Sequence, residues 1–128
     1  MSPDKLFSVV DNAFDPVEFP FRRAVCWQYK DNPVHFLLIR RGEALEIHVQ
    51  AIGRAGKTQL LCACQSVIKE SKTAYPWAKM LIAPVKAQSV YNLCNRLGFD
   101  DLGIVTTPDH GKTRLMVIDY GRSSKRYH

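Results

Sequence analysis

The chain has 128 residues and a mass of 14.6 kDa, the size of one domain built around one core. Hydrophobic residues make up 46% of it and charged residues 23%, which excludes an intrinsically disordered chain. No apolar run reaches the roughly 20 residues of a bilayer-spanning helix, and the N-terminus lacks a signal-peptide profile, so we expect a cytoplasmic protein. The formal net charge of +6 favours an anionic partner, such as nucleic acid, an acidic protein surface or a phosphorylated cofactor. Ordinary surface charge is the simpler explanation.

The cysteines predict reduced thiols. The four of them are spread along the chain without a CxxC pair, at Cys26, Cys62, Cys64 and Cys94. A core of this size does not need disulfides, and the spacing fits no zinc site. The sequence therefore predicts neither disulfide nor metal.

The N-terminal residues predict a short helix followed by a strand. Ser2–Asp4 supplies a cap, a proline at the first helical position and an acid in the first turn, and apolar residues continue at helical spacing to about Phe14. Two-residue alternation over Arg23–Tyr29 predicts a strand, which the turn residues Asp31–Pro33 end.

The spacing of apolar residues changes from strand-like to helix-like in the middle of the chain. Arg41–Glu43 lies between the β-type runs His35–Ile39 and Ala44–Val49, which predicts a hairpin. After the glycine-rich stretch Gly53–Gly56, apolar residues recur at spacings of one, three and four, which predicts a helix to about Lys72.

The C-terminal half predicts a strand, a helix and a hairpin. The strand is Ala78–Val85, and the helix Ala87–Leu97 is closed by Gly98 in the position of a left-handed cap. The hairpin joins Gly103–Thr107 to Arg114–Tyr120. This order predicts a single α+β domain over residues 1–128, with a mostly antiparallel sheet, helices across it and a basic tail at 121–128.

The segment from Leu45 to Leu61 is the most informative for function, because it runs strand, glycine-rich loop, helix. Glycines at such a junction let backbone amides converge at the positive end of the helix, where they can bind a diphosphate. Lys57 adds a mobile positive charge. The plain alternative is that the glycines only form a turn.

Two segments resemble the GNAT superfamily of N-acetyltransferases. Gln50–Ala55 fits the Q/R-x-x-G-x-G/A pattern of that superfamily's pyrophosphate loop. Ala87–Phe99 resembles its late helix, which ends in Leu-Gly-Phe and lies beside the pantetheine arm of coenzyme A. One helix and one strand separate the segments, as in the superfamily, and the resemblance extends from Phe36 to Tyr120.

The resemblance implies a GNAT-like fold with helices on both faces of the sheet, acetyl-CoA as cofactor, and acetyl transfer to an amine. It places the cofactor against a set of residues along the loop and the following strand: Val49, Ala51, Gly53, Arg54, Ala55, Gly56, Lys57, Thr58 and Ala83. The small, basic form is similar to the GNAT-like virion and head-assembly proteins of short-tailed phages, which would place the protein in the host cytoplasm or the virion.

Candidate catalytic residues lie on the strand before the loop and on the late helix. Glu46 and His48 share a strand face under two-residue alternation, so either is a candidate general base; a solvent-facing polar pair is the alternative. Cys94 stands where many GNAT members carry a tyrosine that acts as general acid, and Tyr91 lies one turn away. Ala87 stands at the start of this helix, where many GNAT members carry an asparagine.

Two other interpretations stay open. Ala51–Thr58 also matches the permissive nucleotide-binding pattern [AG]-x-x-x-x-G-K-[ST], with Asp119 at the end of an apolar strand as the carboxylate that orients magnesium. Tight hairpins before the loop argue against the parallel sheet that such a protein needs. Alternatively, the domain is a non-catalytic basic module in which Trp27, Tyr29 and Arg22–Arg23 contact nucleic acid.

Overall fold

The computed structural model describes residues 6–10, 24–30, 34–51 and 56–121. These residues form the following elements: β1 (Phe7–Val10), β2 (Val25–Tyr29), β3 (Val34–Arg41), β4 (Ala44–Ala51), α1 (Lys57–Ala74), β5 (Met80–Val85), α2 (Gln88–Arg96), β6 (Asp100–Thr107) and β7 (Gly111–Asp119). The seven strands form one sheet in the order β1-β2-β3-β4-β5-β7-β6. The predicted α+β class with a mostly antiparallel sheet is confirmed.

Glycines with positive φ set the tight connections. Gly42, with a φ of +64°, turns β3 back along β4, and Gly111, with a φ of +67°, opens β7 after the turn from β6. Gly98 has a φ of +88° just after α2, so the predicted left-handed cap is confirmed. A side chain with a Cβ is strained in this region, which is why these turns use glycine.

Both described helices lie on the same face of the sheet, whereas the resemblance implied helices on both faces. Helix α1 connects β4 to its parallel neighbour β5, and α2 connects β5 to β6, which lies further along the sheet in the same direction. Right-handed crossovers in one direction place their helices on one side. Ala63 and Val67 of α1 and Leu97 after α2 accordingly share one core cluster with Leu45 and Leu81 of the sheet.

The opposite face carries a smaller apolar cluster. Cys26, Leu37 and Ile39 are buried there, with Val10 and Ala24 packed against them. We refer to it as the second face. Because side chains alternate along a strand, Glu46, opposite Ile39 in the register, also projects to the second face.

Strands β4 and β5 separate along their length. Their parallel pairing covers only Ala44–Glu46 on β4 and Met80–Ile82 on β5, although both strands continue beyond it. Pro84 lies in the part of β5 that pairs with β7 but not with β4, and it has no N–H to donate to a ladder. The sheet is therefore open between the C-terminal parts of these strands.

The prediction of a helix at the N-terminus is wrong for residues 7–10, which form β1. The β-branched Val9 and Val10 favour a strand, and they lie opposite Trp27 and Cys26 of β2. Phe7 packs on Trp27 with ring centroids 5.3 Å apart. Pairing with β2 outweighs the local helical signals; the predicted cap at 2–4 and the break at 31–33 lie outside the described residues.

A buried hydrogen bond ties α1 to the end of the sheet. The hydroxyls of Ser71 and Tyr120 lie 2.6 Å apart, and Ser71 also donates to the carbonyl of Ile68 at 3.2 Å. Burial raises the pKa of Tyr120 to about 12, although the Ser71 hydrogen bond lowers it. We expect Tyr120→Phe to reduce the free energy of unfolding by about 1 kcal/mol, the usual net value of such a bond.

The measurement is urea unfolding, with Tyr91→Phe as the matched control. The Tyr91 hydroxyl contacts Asp101 at an exposed position, at 3.3 Å, so its loss should cost less. Equal effects of the two substitutions would show that the buried bond adds nothing specific.

Candidate functional site

Two histidines converge on one buried carboxylate on the second face. His48 follows Glu46 at the two-residue spacing of β4, and its Nε2 lies 2.6 Å from Glu46 Oε2. His110, in the turn between β6 and β7, brings its own Nε2 to 3.2 Å from the same oxygen. The side chains are 6% exposed for Glu46 and 10% for each histidine. We call these three residues the His–Glu–His cluster.

An ion-pair network borders this cluster. Arg41 Nε donates to Glu46 Oε1 at 3.2 Å, and Arg41 Nη2 pairs with Asp109 beside the β6–β7 turn. Burial raises the pKa of Glu46, but hydrogen bonds and charge from His48, with smaller effects of His110 and Arg41, outweigh it and hold the pKa at about 2. Glu46 is therefore a carboxylate near neutral pH.

A cavity of about 160 Å³ lies where β4 and β5 separate. Its walls are mostly apolar and come from β4, β5, α1 and α2; they include Val49, Ala83, Val67 and Leu93. His48 also lines it, so this side chain belongs both to the cavity and to the His–Glu–His cluster. The cleft in the sheet thus connects the helix-covered face to the second face.

Two thiols line the inner wall of the cavity. Burial raises the pKa of Cys64 to about 12, with a further contribution from Cys94, and burial raises that of Cys94 to about 11. Both are therefore neutral near pH 7. Neither is activated as a nucleophile, because nucleophilic cysteines need a lowered pKa.

The structure brings some of the predicted site residues to this cavity and not others. Glu46 and His48 are in contact, and Cys94 lines the cavity. Tyr91 does not line it, since its hydroxyl is directed to Asp101 on β6 and Arg114 lies over its ring. Of the two residues of α2 that were predicted as general acid, Cys94 therefore lines the cavity and Tyr91 does not.

The predicted cofactor residues divide into three groups. Val49 and Ala83 line the cavity. Gly56 is the N-cap of α1, and Lys57 and Thr58 are its first, exposed residues. Ala51 ends β4, and residues 53–55 lie outside the described residues.

Gly56 has an ordinary extended backbone conformation that does not require glycine. Its φ is −67° and ψ 158°, and an added Cβ would meet only the Gln59 side chain, 4.0 Å away. Gln59 Oε1 accepts the Gly56 N–H at 3.1 Å, which is half of a capping box. A serine here would complete it.

The structure removes residues that supported the nucleotide-binding and the nucleic-acid-binding interpretations. Asp119 lies opposite Met80, which pairs with Ala44 at the start of β4, whereas Lys57 follows the end of β4, roughly 23 Å away along the strand. A magnesium carboxylate beside the loop is therefore wrong. Trp27 and Tyr29 are buried in the core, so they cannot stack on bases; Arg22 and Arg23 lie outside the described residues.

Sequence reasoning missed three members of the site: His110, Arg41 and Asp109. Arg41 and His110 contact Glu46 from 5 and 64 positions away, and Asp109 contacts Arg41 from 68 positions away, which no local pattern reports. The one available signal was the position of Asp109 and His110 between the two strands of the predicted C-terminal hairpin, since a hairpin tip that carries chemistry-bearing side chains is a candidate site.

Comparison with solved structures identifies the fold. The aminoglycoside acetyltransferase AAC(6')-Ib in complex with paromomycin and acetyl-CoA superposes with a TM-score of 0.65 at 14% identity, covering 82% of this chain and 70% of that one. An N-acetyltransferase from Staphylococcus aureus gives 0.59 at 16% identity over 75% and 67% of the two chains. A GNAT-family acetyltransferase from Bacillus anthracis gives 0.57 at 14% over 75% and 65%.

The chain therefore has the GNAT fold. No protein-family model and no curated protein matches the sequence. None of the helices in the described ranges is long and apolar enough to cross a membrane.

The two glycines at opposite ends of β4 provide a test of this local geometry. Gly42→Ala places a Cβ at a φ of +64° and should cost about 1 kcal/mol of stability, whereas Gly56→Ser should be neutral or stabilising by a few tenths of a kcal/mol. Urea unfolding of both variants measures the difference. A larger loss for Gly56→Ser than for Gly42→Ala would contradict the assigned conformations.

Proposed function

We propose that this protein is an acyl-CoA-dependent N-acetyltransferase that binds acetyl-CoA in the cleft between β4 and β5. The observation that supports this most is the position of His48, which joins the apolar cavity in the cleft to the buried carboxylate of Glu46. A thioester arm in the cavity would present its carbonyl near a polar residue able to accept a proton.

The proposed cofactor site uses two parts of the chain. The amides of Gly56–Thr58, at the positive end of the 18-residue α1, would hold the diphosphate, with Lys57 and Arg54 near the phosphates. The cavity, at about 160 Å³, is smaller than the roughly 300–1,000 Å³ of sites that enclose a whole ligand. It suits a narrow pantetheine arm, with the nucleotide lying outside.

The reaction follows from these positions. The acceptor amine attacks the thioester carbonyl carbon, the carbon–sulfur bond breaks, and an amide and the CoA thiolate form. His48 takes the proton that the amine loses, while Glu46 orients the imidazole and stabilises its charged form. Backbone amides near Ala83, where β5 has left β4, would polarise the carbonyl.

The thiolate takes its proton from water or from His48. Cys94 is a poor donor, because its pKa of about 11 exceeds the roughly 8.5 of an ordinary thiol, so the transfer would run uphill. Tyr91, bonded to Asp101, is outside the cavity. A dedicated acid is not required, since a thiolate is itself a modest base.

The acceptor is an amine whose identity we leave open. AAC(6')-Ib was solved with the aminoglycosides paromomycin, ribostamycin and kanamycin. The formal charge of +6 on this chain opposes a polycationic acceptor of that kind at long range. Membership of the phage virion group, nucleic-acid binding and a cytoplasmic location stay predictions.

Cofactor binding is tested by stability. Acetyl-CoA at about 100 times its Kd should raise the free energy of unfolding by roughly 2.7 kcal/mol, and ATP with magnesium should not. Ala83→Leu should weaken binding by at least about tenfold, because the larger side chain fills the cavity, and Lys57→Ala by at most about fivefold. Ala74→Leu, on the exposed end of α1, is the matched control for size. Stabilisation by ATP-magnesium alone would refute the cofactor assignment.

Catalysis is tested by thiol release from acetyl-CoA over a panel of amines. His48→Ala should lower kcat by about 10²-fold or more, a larger factor than its effect on acetyl-CoA affinity, as expected for a general base, and Glu46→Gln should lower kcat less. His35→Ala, on β3, should leave the rate unaltered. If the wild-type protein binds acetyl-CoA but releases no thiol with any acceptor, the domain is a binding protein that keeps the GNAT fold without the reaction.

A further inference from the structure

The His–Glu–His cluster contains more side chains able to ligate a metal than proton transfer from an amine requires. His48 alone reaches the cavity, yet a second imidazole, His110, comes from the other end of the chain to the same carboxylate oxygen. Glu46 Oε2 and the ligand nitrogens of the two histidines all lie within 4.8 Å of one another. We propose that this cluster is a binding site for a divalent transition-metal ion of the zinc type.

The distances between the ligand atoms fit one small ion. Zinc binds imidazole nitrogen at about 2.0–2.1 Å and carboxylate oxygen at about 2.0–2.2 Å, so tetrahedral ligands lie about 3.3–3.5 Å apart. The His110 nitrogen is already 3.2 Å from Glu46 Oε2, and the His48 nitrogen lies 2.6 Å from it. Because the ligand atoms lie within 4.8 Å of one another, the two histidine nitrogens need to approach each other by at most about 1.5 Å. The ion would take the place of the protons now shared between these atoms.

The charges around the cluster also favour a cation. Arg41 is in contact with the cluster, but it pairs with Asp109 as well as with Glu46. Two carboxylates thus surround one guanidinium, so one negative charge remains when both imidazoles are neutral. Arg41 holds Glu46 Oε1, which leaves Oε2 as a single, oriented ligand atom.

The burial and the composition of the set define the type of site. Side chains only 6–10% exposed lose little further hydration or conformational freedom when an ion binds. Two histidines and a carboxylate form the ligand set of open zinc sites, whose fourth position holds water. The earlier prediction of no zinc site rested on the spacing of the cysteines. No cysteine belongs to this cluster, so that spacing is not an argument against the proposed site.

Metal binding and acetyl transfer would exclude each other. A bound ion engages His48 and Glu46, the residues that the proposed function uses for proton transfer. Zinc should therefore inhibit thiol release, and a chelator should restore it; this consequence rests on the proposed function, whereas metal binding itself does not.

The test is titration of the full-length protein with Zn²⁺ by calorimetry. Cys62, an exposed thiol, is first replaced by serine so that it cannot bind the ion. We expect one ion per chain, and at least about tenfold weaker binding after His110→Ala, since loss of even an outer-shell partner of a metal costs 10–100-fold. His35→Ala, on β3 and outside the cluster, should bind as the parent does.

Co²⁺ gives a second readout, because its visible spectrum reports tetrahedral ligation by nitrogen and oxygen. His110→Gln accompanies His110→Ala and keeps a polar side chain beside Glu46, so a folding defect, checked by urea unfolding, is separated from loss of a ligand. Absence of one-to-one binding, or equal Zn²⁺ affinity in folded His110 variants, would overturn the proposal. Zn²⁺ binding, together with no thiol release by the metal-free protein with any acceptor, would uphold this site and refute the proposed reaction.

Discussion

The short pairing between β4 and β5 is the constraint on which the rest of the site depends. Three residues of each strand are paired in parallel, and beyond them the strands part. Parallel neighbours need a long crossover, so α1 must span the opening, and α2 follows on the same face. The opening, its helical cover and its apolar lining are therefore consequences of one topological choice. Full pairing of the two strands would leave no cavity.

The opening also explains how one strand serves two surfaces. Alternation along β4 directs Ile47 and Val49 to the helix-covered core and Glu46 and His48 to the second face. In a closed sheet these surfaces would be separated by the backbone. Where β5 is absent at the side of β4, the imidazole of His48 borders the cavity while it contacts Glu46. Polar chemistry on one face is thereby brought to an apolar cavity on the other.

Electrostatics hold this arrangement in place. A carboxylate as buried as Glu46 is costly to desolvate unless every lone pair is engaged, and here His48, His110 and Arg41 supply the donors. Arg41 ends β3 and His110 lies in the β6–β7 turn, so the cluster also fixes that turn against β3. The contacts that stabilise the carboxylate are the ones that orient its histidines.

The sequence by itself determined the elements with strong local signals. Alternation indicated β2, β-type runs around a turn indicated β3 and β4, and helical spacing and a glycine cap indicated α1 and α2. Each pattern reflects burial of an apolar face or a backbone angle that only a few residues adopt. The sequence also predicted that Glu46 and His48 lie on the same face of β4, since residues two apart on a strand share a face.

Only the tertiary structure decided the rest. Residues 7–10 form a strand because β2 offers an unpaired edge there, and His110 and Arg41 reach Glu46 because hairpins return distant segments to β4. Tyr91 has a helical position close to that of Cys94, yet only Cys94 faces the cavity, since a neighbouring strand offers Tyr91 the carboxylate of Asp101. These outcomes depend on contacts between segments that are far apart in the chain, and local periodicity does not predict such contacts.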